Sequence, residues 1–306
     1  MSTNTPSPFD EGLEKAVANY TPLSPLSFLR RSALVYPDKT AIIHGERRES
    51  YAAFYRRSRQ LASALSARGV GKGDTVAVMA PNIPEMLECH FGVPALGAIL
   101  NAINIRLDAA NIAFILEHGG AKILIADRQF APVVKEALGH MANPPLVIDI
   151  DDPQAKSGAV IGEVEYESFI SAGDPEYPWQ GPADEWESIA LNYTSGTTGN
   201  PKGVVYHHRG AYLNAIGNAM TFGVNADSHY LWTLPMFHCN GWTYTWGVTA
   251  VGGTHVCLRD VDPALIFPMI AEHRVPHMCG APVLLTTLIT APGSAKRVSG
   301  TQVADA

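Results

Sequence analysis

Six consecutive residues of this chain carry only hydroxyl side chains or no side chain, and a lysine follows closely. They are Thr194, Ser195, Gly196, Thr197, Thr198 and Gly199, with Lys202 completing the set. Glycines let the backbone turn with its N–H groups exposed, hydroxyls supply short donors, and the lysine ammonium adds positive charge. The segment therefore predicts a loop that holds a polyphosphate.

The spacing of this segment separates it from two widespread phosphate-binding patterns. A Walker loop reads G-x-x-x-x-G-K-[ST], whereas Lys202 stands between Pro201 and Gly203. The dinucleotide fingerprint G-x-G-x-x-G does not occur in the segment either. A hydrolase using Ser195 is disfavoured because the chain contains no G-x-S-x-G elbow. On residue types alone, a glycine- and threonine-rich turn without a function is the alternative.

A second stretch, Pro235–Trp242 (PMFHCNGW), combines aromatic side chains with His238. On its own, His238 fits a hydrogen-bonded, half-buried histidine as well as a pocket residue. Seven of the eleven histidines lie between residues 207 and 277, which raises the question of a metal site. His207 and His208 are adjacent on a predicted strand and would point to opposite faces. Zinc-ligand spacing is absent, so the sequence predicts no metal site.

Short apolar runs alternate with amphipathic stretches along the chain. The predicted strands are 75–79, 122–126, 146–150, 188–193, 203–206, 230–234 and 254–258, and the predicted helices are 51–68, 85–96, 107–118, 133–140, 165–170, 210–221, 263–273 and 284–289. Parallel strands need crossover connections and are buried on both faces. We therefore expect an α/β fold with two largely parallel, helix-flanked sheets.

A polar, Gly/Pro-rich connector over about 151–187 indicates a boundary between two units. We expect a leader over 1–24, a first α/β subdomain with this connector over 25–185, and a second α/β subdomain over 186–306, beginning with strand 188–193 and carrying the phosphate segment. Glu163, Glu165 and Glu167 of the connector are interpreted as a solvated face. Residues 291–306 show no further strand pattern, so the second sheet is expected to be incomplete.

Composition excludes several classes of protein. The 306 residues are 46% hydrophobic and 17% charged, values of an ordinary globular protein rather than a disordered, collagenous or coiled-coil one. A net charge of -7 provides no basic field for nucleic acid or anionic lipid. The four cysteines are dispersed and no secretory signal precedes them, which favours a reduced, cytoplasmic protein. The longest apolar stretch, 93–103, is too short and interrupted for a membrane span.

The segment Thr194–Gly203, here called the phosphate motif, resembles a known signature. It reads T-S-G-T-T-G-N-P-K-G and matches, at every position, the [ST]-S-G-[ST]-T-G-x-P-K-G of AMP-forming acyl-CoA synthetases in the adenylate-forming superfamily. Pro235–Trp242 is similar to the aromatic-histidine motif of that family. Supporting similarity lies at 80–85, 98–108 and 280–282. The resemblance covers about 25–289, an amino-terminal portion, and is greatest to the short/medium-chain and methylthioalkanoate-CoA ligase branch.

This resemblance implies a two-step ligase. A carboxylate attacks the α-phosphorus of ATP and expels pyrophosphate, and coenzyme A then captures the acyl-adenylate. It implies ATP, Mg²⁺ and coenzyme A as cofactors or co-substrates, a carboxylic acid as small-molecule partner, and is compatible with a homodimer. By residue, it assigns the β- and γ-phosphates to Thr194, Ser195, Gly196, Thr197, Thr198, Gly199 and Lys202, a catalytic role to His238, and the substrate pocket to His238, Asn240, Trp242 and Gly280.

The chain also departs from the family pattern. The Thr-Glu segment that helps to hold Mg²⁺, the ribose-binding aspartate, the hinge and the C-terminal domain with its lysine have no counterpart in the sequence. We therefore expect a fragment with little ligase activity alone, since each missing electrostatic group is worth about 10²–10³ in kcat. The acid is expected to be short or medium in chain length, with aryl acids as an open alternative. A non-catalytic nucleotide- or acyl-binding module is the competing hypothesis.

Overall fold

The computed structural model describes residues 7, 9, 11–194 and 201–296. The centre of the phosphate motif, 195–200, lies outside the described residues. Within the predicted leader, the described residues form no helix or strand before Leu26. No helix in the described part of the chain combines the length and apolarity needed to cross a membrane.

The elements of the described residues alternate between helix and strand. The helices are α1 (Leu26–Val35), α2 (Tyr51–Ala67), α3 (Pro84–Gly92), α4 (Ala109–His118), α5 (Ala131–Gly139), α6 (Tyr166–Ser171), α7 (His208–Phe222), α8 (Cys239–Trp242), α9 (Tyr244–Val251), α10 (Pro263–Glu272), α11 (Pro282–Thr290) and α12 (Gly293–Lys296). The strands are β1 (Thr40–His44), β2 (Arg47–Ser50), β3 (Thr75–Met79), β4 (Ile99–Ala102), β5 (Ala121–Asp127), β6 (Leu146–Ile150), β7 (Val164–Glu165), β8 (Ser188–Thr194), β9 (Lys202–His207), β10 (His229–Leu231), β11 (Thr254–Val256) and β12 (His277–Met278).

The larger sheet has the strand order β7-β6-β5-β3-β4-β8-β9. All neighbouring pairs in it are parallel except β8 and β9, which are antiparallel. Its central strand β3 is buried along its whole length, as the apolar run predicts. The α/β class and the two mostly parallel, helix-flanked sheets are confirmed.

The smaller sheet has the order β12-β10-β11-β1-β2, with β1 and β2 as an antiparallel pair at one edge. It therefore takes strands from both ends of the chain, and β8 and β9 belong to the larger sheet. The expectation that a second sheet begins with strand 188–193 is wrong, and the boundary near residue 186 does not separate the two sheets. The reason is that β4 pairs with β8 across the whole connector.

Local signals explain where α2 begins and which of its faces is buried. The Ser50 side chain accepts a hydrogen bond from the backbone N–H of Ala53 at 3.2 Å, which caps the helix. Phe54, Leu61 and Leu65 bury one stripe of the helix. The helix packs against α1 and α3, and a single apolar cluster extends from it to both sheets.

The two adjacent histidines do not alternate on a strand as predicted. β9 ends at His207, whose side chain accepts a hydrogen bond from the backbone N–H of Gly210 and caps α7. His208 begins the helix, is buried, and lies 2.8 Å from the Ser24 hydroxyl. Because each has a structural partner, both histidines are explained by the fold.

Candidate functional site

The two ends of the phosphate motif lie side by side. Thr194 is the last residue of β8, Lys202 is the first of β9, and the two are directly paired in the antiparallel ladder. Both are exposed. Thr194 and Lys202 therefore lie together at the carboxyl end of β8. The other predicted phosphate-binding residues, Ser195, Gly196, Thr197, Thr198 and Gly199, lie outside the described residues.

A buried asparagine anchors the chain that leads to His238. Asn82 donates hydrogen bonds through Nδ2 to the carbonyls of Trp232 and Leu234, and its Oδ1 accepts one from the backbone N–H of Met236. Asn82 belongs to the 80–85 stretch that supports the family resemblance. Its role here is to fix the approach to the aromatic-histidine motif.

The chain then makes a left-handed turn. The five residues from Cys239 to Thr243 all have positive φ, between 49° and 63°. Such backbone costs L-residues roughly 1–2 kcal/mol each, so the surroundings must compensate. A side chain at Gly241 would place its Cβ 2.5 Å from Trp232. The turn leaves His238 and Trp242 exposed and buries Asn240 between them.

Two cavities flank this turn. The first, here called the strand-end cavity, has a volume of about 240 Å³ and is lined by Thr194, His238 and the asparagines Asn101 and Asn192 among others. The second, here called the helix cavity, has a volume of about 430 Å³ and lies between β9, α7 and Trp242. Tyr206 and Cys239 line both cavities, so the two are neighbours.

The side chains between the cavities are polar. Burial, and then the Cys239 thiol nearby, raise the pKa of Tyr206 to about 12, so its hydroxyl keeps its proton at neutral pH. The Cys239 sulfur lies 4.0 Å from Nε2 of His238. A hydroxyl, a thiol and an imidazole therefore converge where the cavities meet.

A chain of hydrogen bonds runs from α3 to the strand-end cavity, and we call it the amide relay. Nδ1 of His90 lies 2.7 Å from the Met86 carbonyl, and Nε2 lies 3.2 Å from Nδ2 of Asn240. Oδ1 of Asn240 accepts a hydrogen bond from Nδ2 of Asn192 at 2.7 Å. Burial lowers the pKa of His90 to about 4, so its ring is neutral.

The predicted site residues fall into two groups. Thr194 and His238 line the strand-end cavity, Trp242 lines the helix cavity, and Lys202 pairs with Thr194. Asn240 and Gly280 line neither of these cavities. Asn240 is fully buried in the amide relay, and Gly280 packs against Leu284 beside a segment bonded to Thr233. The assigned roles of these residues in catalysis and binding stay predictions.

Sequence reasoning missed Asn101, Asn192 and Tyr206. The two asparagines interrupt apolar runs within β4 and β8, a signal that was present in the sequence. Inside a strand, however, a polar residue at every second position is ordinary. Only the pairing of β4 with β8 shows that both asparagines reach one cavity.

The described residues contain no group of three histidine, cysteine, aspartate or glutamate side chains arranged to hold a metal ion. A third cavity, of about 750 Å³, is lined by charged residues of β2, α2 and α6 rather than by the predicted site residues. The candidate site is therefore the pair of cavities at the phosphate motif.

Enzymes with a mostly parallel α/β sheet usually bind small ligands at the carboxyl ends of the strands. The strand-end cavity places this chain in that general class. The chain belongs to the AMP-binding enzyme family, whose model matches residues 29–304. It is 48% identical to the acetate/butyrate–CoA ligase AAE7, peroxisomal, of Arabidopsis thaliana and 43% identical to the 2-methylpropanoate–CoA ligase CCL4 of Humulus lupulus. These alignments cover 92% and 93% of this chain and 52% of each relative.

A solved structure supports the same assignment. The N-terminal domain of FACL13 from Mycobacterium tuberculosis, crystallised with an inhibitor, aligns with a TM-score of 0.79 at 30% identity. The alignment covers 89% of this chain and 66% of that domain. The chain spans about half the length of the relatives it matches. The predicted cytoplasmic location stays a prediction, because the Arabidopsis relative is named as peroxisomal.

Proposed function

We propose that this chain supplies the nucleotide- and acyl-binding part of an ATP-dependent acid–CoA ligase that acts through an acyl-adenylate. The observation that carries the proposal is that Thr194, which lines the same cavity as His238, is paired with Lys202. Family membership and the named activities of the relatives support it.

The phosphate motif would bind the β- and γ-phosphates of ATP. Thr194 donates from its hydroxyl, Lys202 adds an exposed ammonium, and the ladder holds the two next to each other. Positive charge and preorganised donors stabilise the charge that moves onto pyrophosphate as it leaves. The described residues offer no protein cage for Mg²⁺, which would arrive with the phosphates.

The helix cavity would hold the acyl chain. Its walls include Val205, Ala211 and the face of Trp242, and its volume of about 430 Å³ suits a short or medium chain. His238 stands where this cavity meets the strand-end cavity, next to the reacting carboxylate in this arrangement. Short-chain acids are favoured because acetate, butyrate and 2-methylpropanoate appear in the names of the relatives.

Calorimetric titration with ATP and Mg²⁺ tests the nucleotide site. Lys202→Ala is expected to weaken ATP binding at least tenfold, the usual cost of a charge-assisted hydrogen bond to phosphate. Lys122→Ala is the matched control, because Lys122 is also exposed but lies at the amino end of β5 and pairs with Asp74. Failure of the unaltered chain to bind ATP would overturn the proposed function.

Acid-dependent AMP formation tests the ligase step. The chain would be assayed alone and fused to the C-terminal half of the Arabidopsis relative, with acetate, butyrate, 2-methylpropanoate and an aryl acid. We expect AMP and pyrophosphate from the fusion with short acids, and little from the chain alone. ATP binding without AMP formation by the fusion would instead support the non-catalytic binding module.

A further inference from the structure

The strand-end cavity is lined by Asn101 and Asn192, whose buried amide groups contain atoms that have no partner in the described part of the chain. These atoms are Oδ1 of Asn192 and both Oδ1 and Nδ2 of Asn101. Asn101 is completely buried, and Asn192 is only 7% exposed. Buried polar groups are almost always hydrogen-bonded, so each exception calls for an explanation such as a bound water, ion or ligand. These atoms therefore require a polar partner from outside the described residues.

The amide relay fixes which atom of Asn192 is left over. The carbonyl of Met86 can only accept, so Nδ1 of His90 carries the proton and Nε2 of this neutral ring must accept. Nδ2 of Asn240 therefore donates to His90, and its Oδ1 accepts from Nδ2 of Asn192. If the amide of Asn192 were flipped, its Oδ1 would face Oδ1 of Asn240, and two acceptors would oppose each other. Its Oδ1 is consequently an oriented acceptor.

We propose that Asn192 is a substrate-binding residue whose Oδ1 accepts a hydrogen bond from a hydroxyl, amine or thiol of the nucleotide or of coenzyme A. This inference rests on the proposed function and adds to it a contact that the phosphate motif does not contain. His90 and Asn240 hold the acceptor in place from behind. Thr194 and His238, on the walls of the same cavity, place the bound donor near the reacting groups.

The size of the strand-end cavity limits which part of a substrate can reach this acceptor. About 240 Å³ accommodates a sugar ring or the end of a pantetheine arm rather than a whole nucleotide. The donors that fit are therefore a nucleotide hydroxyl or amine and the pantetheine thiol or amide.

Ligand analogues that lack single donors distinguish these sources. The unaltered chain would be titrated with ATP, 2′-deoxy-ATP, 3′-deoxy-ATP, inosine triphosphate and pantetheine. A nucleotide source predicts about tenfold weaker binding of the one analogue that lacks the contacting donor. A coenzyme A source predicts equal binding of all nucleotides and measurable binding of pantetheine.

Protein variants complete a double-mutant cycle. Asn192→Leu keeps the branched shape of the side chain and removes the acceptor, and Asn192→Ala serves if the leucine variant does not fold. Either variant should bind the contacting ligand about tenfold more weakly, yet bind the donor-lacking analogue like the unaltered chain. Asn225→Ala, which removes an exposed amide far from both cavities, should change neither affinity.

The outcomes separate this inference from the proposed function. If the unaltered chain binds no ATP, the proposed function fails. If it binds ATP, but neither the analogues nor the Asn192 variants change any affinity, the contact by Asn192 is refuted and the phosphate motif is untouched. An equal loss for every ligand, analogues included, also refutes the contact, because it reports a damaged cavity.

Discussion

Helix α3 contributes to two buried polar clusters that differ in how completely their groups are paired. Glu85 and Glu88 belong to a charged cluster with Arg47, Arg57 and Glu49, whereas His90, two residues further along, begins the amide relay. Glu88 is completely buried, and its carboxylate accepts hydrogen bonds from Arg57 at 2.6 Å and from the Tyr166 hydroxyl at 2.6 Å.

Within the charged cluster almost every group has a partner. Arg57 also reaches Glu167, and Arg47 reaches Glu85 at 2.5 Å. Oε2 of Glu49 is the exception among the described residues of the cluster. Burial, and then the neighbouring Glu88 carboxylate, raise the pKa of Glu49 to about 7.

The amide relay contains no ionised group, and it ends at the strand-end cavity in an acceptor that has no partner among the described residues. The two clusters therefore serve different purposes although one helix carries both. A paired cluster ties β2, α2 and α3 together through ion pairs. An open relay gives up stability in the free protein and keeps a directed group for binding.

Arg57→Ala is expected to have the largest effect on stability. It leaves Glu88 buried without its main counter-charge, and removal of one partner of a buried ion pair costs roughly 3–5 kcal/mol. Urea denaturation would measure the change in the free energy of unfolding. Arg56→Ala, an exposed neighbour on the same helix, is the control and should stay within about 0.5 kcal/mol. Equal effects of both substitutions would show that the cluster does not stabilise the fold.

Asn240→Leu is expected to follow, with a loss of roughly 2–4 kcal/mol. The substitution removes the partners of His90 and Asn192 and places a bulkier side chain at a φ of 52°. The double variant with Asn192→Leu should lose less than the sum of the single variants, because the two side chains share one hydrogen bond. If the losses of stability of the two single variants simply add in the double variant, the side chains of Asn192 and Asn240 are not coupled as the relay requires.

Glu49→Gln tests the charged cluster through its pH dependence. The folded-state pKa of Glu49, about 7, lies above the ordinary glutamate value, so its contribution to stability is full at low pH and is lost as the pH rises through 7. Glutamine does not titrate, so the variant does not lose stability in this way as the pH rises. Relative to the unaltered protein, the variant should gain roughly 1–3 kcal/mol between pH 5 and pH 8.

Two controls apply to the comparison of Glu49→Gln with the unaltered protein. The buried histidines, whose pKa values are lowered by burial, are present in both proteins and cancel from the difference. Glu163→Gln removes an exposed carboxylate and should show no such gain. If the difference in the free energy of unfolding between Glu49→Gln and the unaltered protein stays constant with pH, the pKa of Glu49 is not raised in the folded protein.

Asn101→Leu is expected to have the smallest effect, and in the opposite direction. It replaces a completely buried amide, whose two polar atoms have no partner among the described residues, by an apolar side chain of the same branched shape, so stability should rise by about 1 kcal/mol. Thermal denaturation would detect the gain. A clear loss of stability would mean that Asn101 is already satisfied in the free protein and that the strand-end cavity is not open.

Local patterns were sufficient for much of the fold. Strands 75–79 and 146–150 have the predicted bounds, because apolar periodicity is set by neighbouring residues. β2 escaped prediction because Arg47–Ser50 is polar, and its Arg47 belongs to the charged cluster. Which strand pairs with which depends on residues far away in the chain, so the division between the sheets could not be read locally.

The candidate site shows the same limit. Thr194, Lys202 and His238 were found because a motif places them close together in sequence. Asn101 and Asn192 were missed because only strand pairing brings them to one cavity. Glu167 was interpreted as part of a solvated face, yet it pairs with Arg57 from another element.

The position of β1 has a consequence for synthesis of the protein. Ile42 pairs with His255 of β11, so the β1–β2 hairpin leaves the ribosome long before its partner strand exists. At a translation rate of about 5–20 residues per second, one edge of the hairpin waits roughly 10–40 s. During that interval the edge is available to other chains or to a chaperone. Codon choice and chaperone supply ahead of β11 should therefore influence the yield of folded protein.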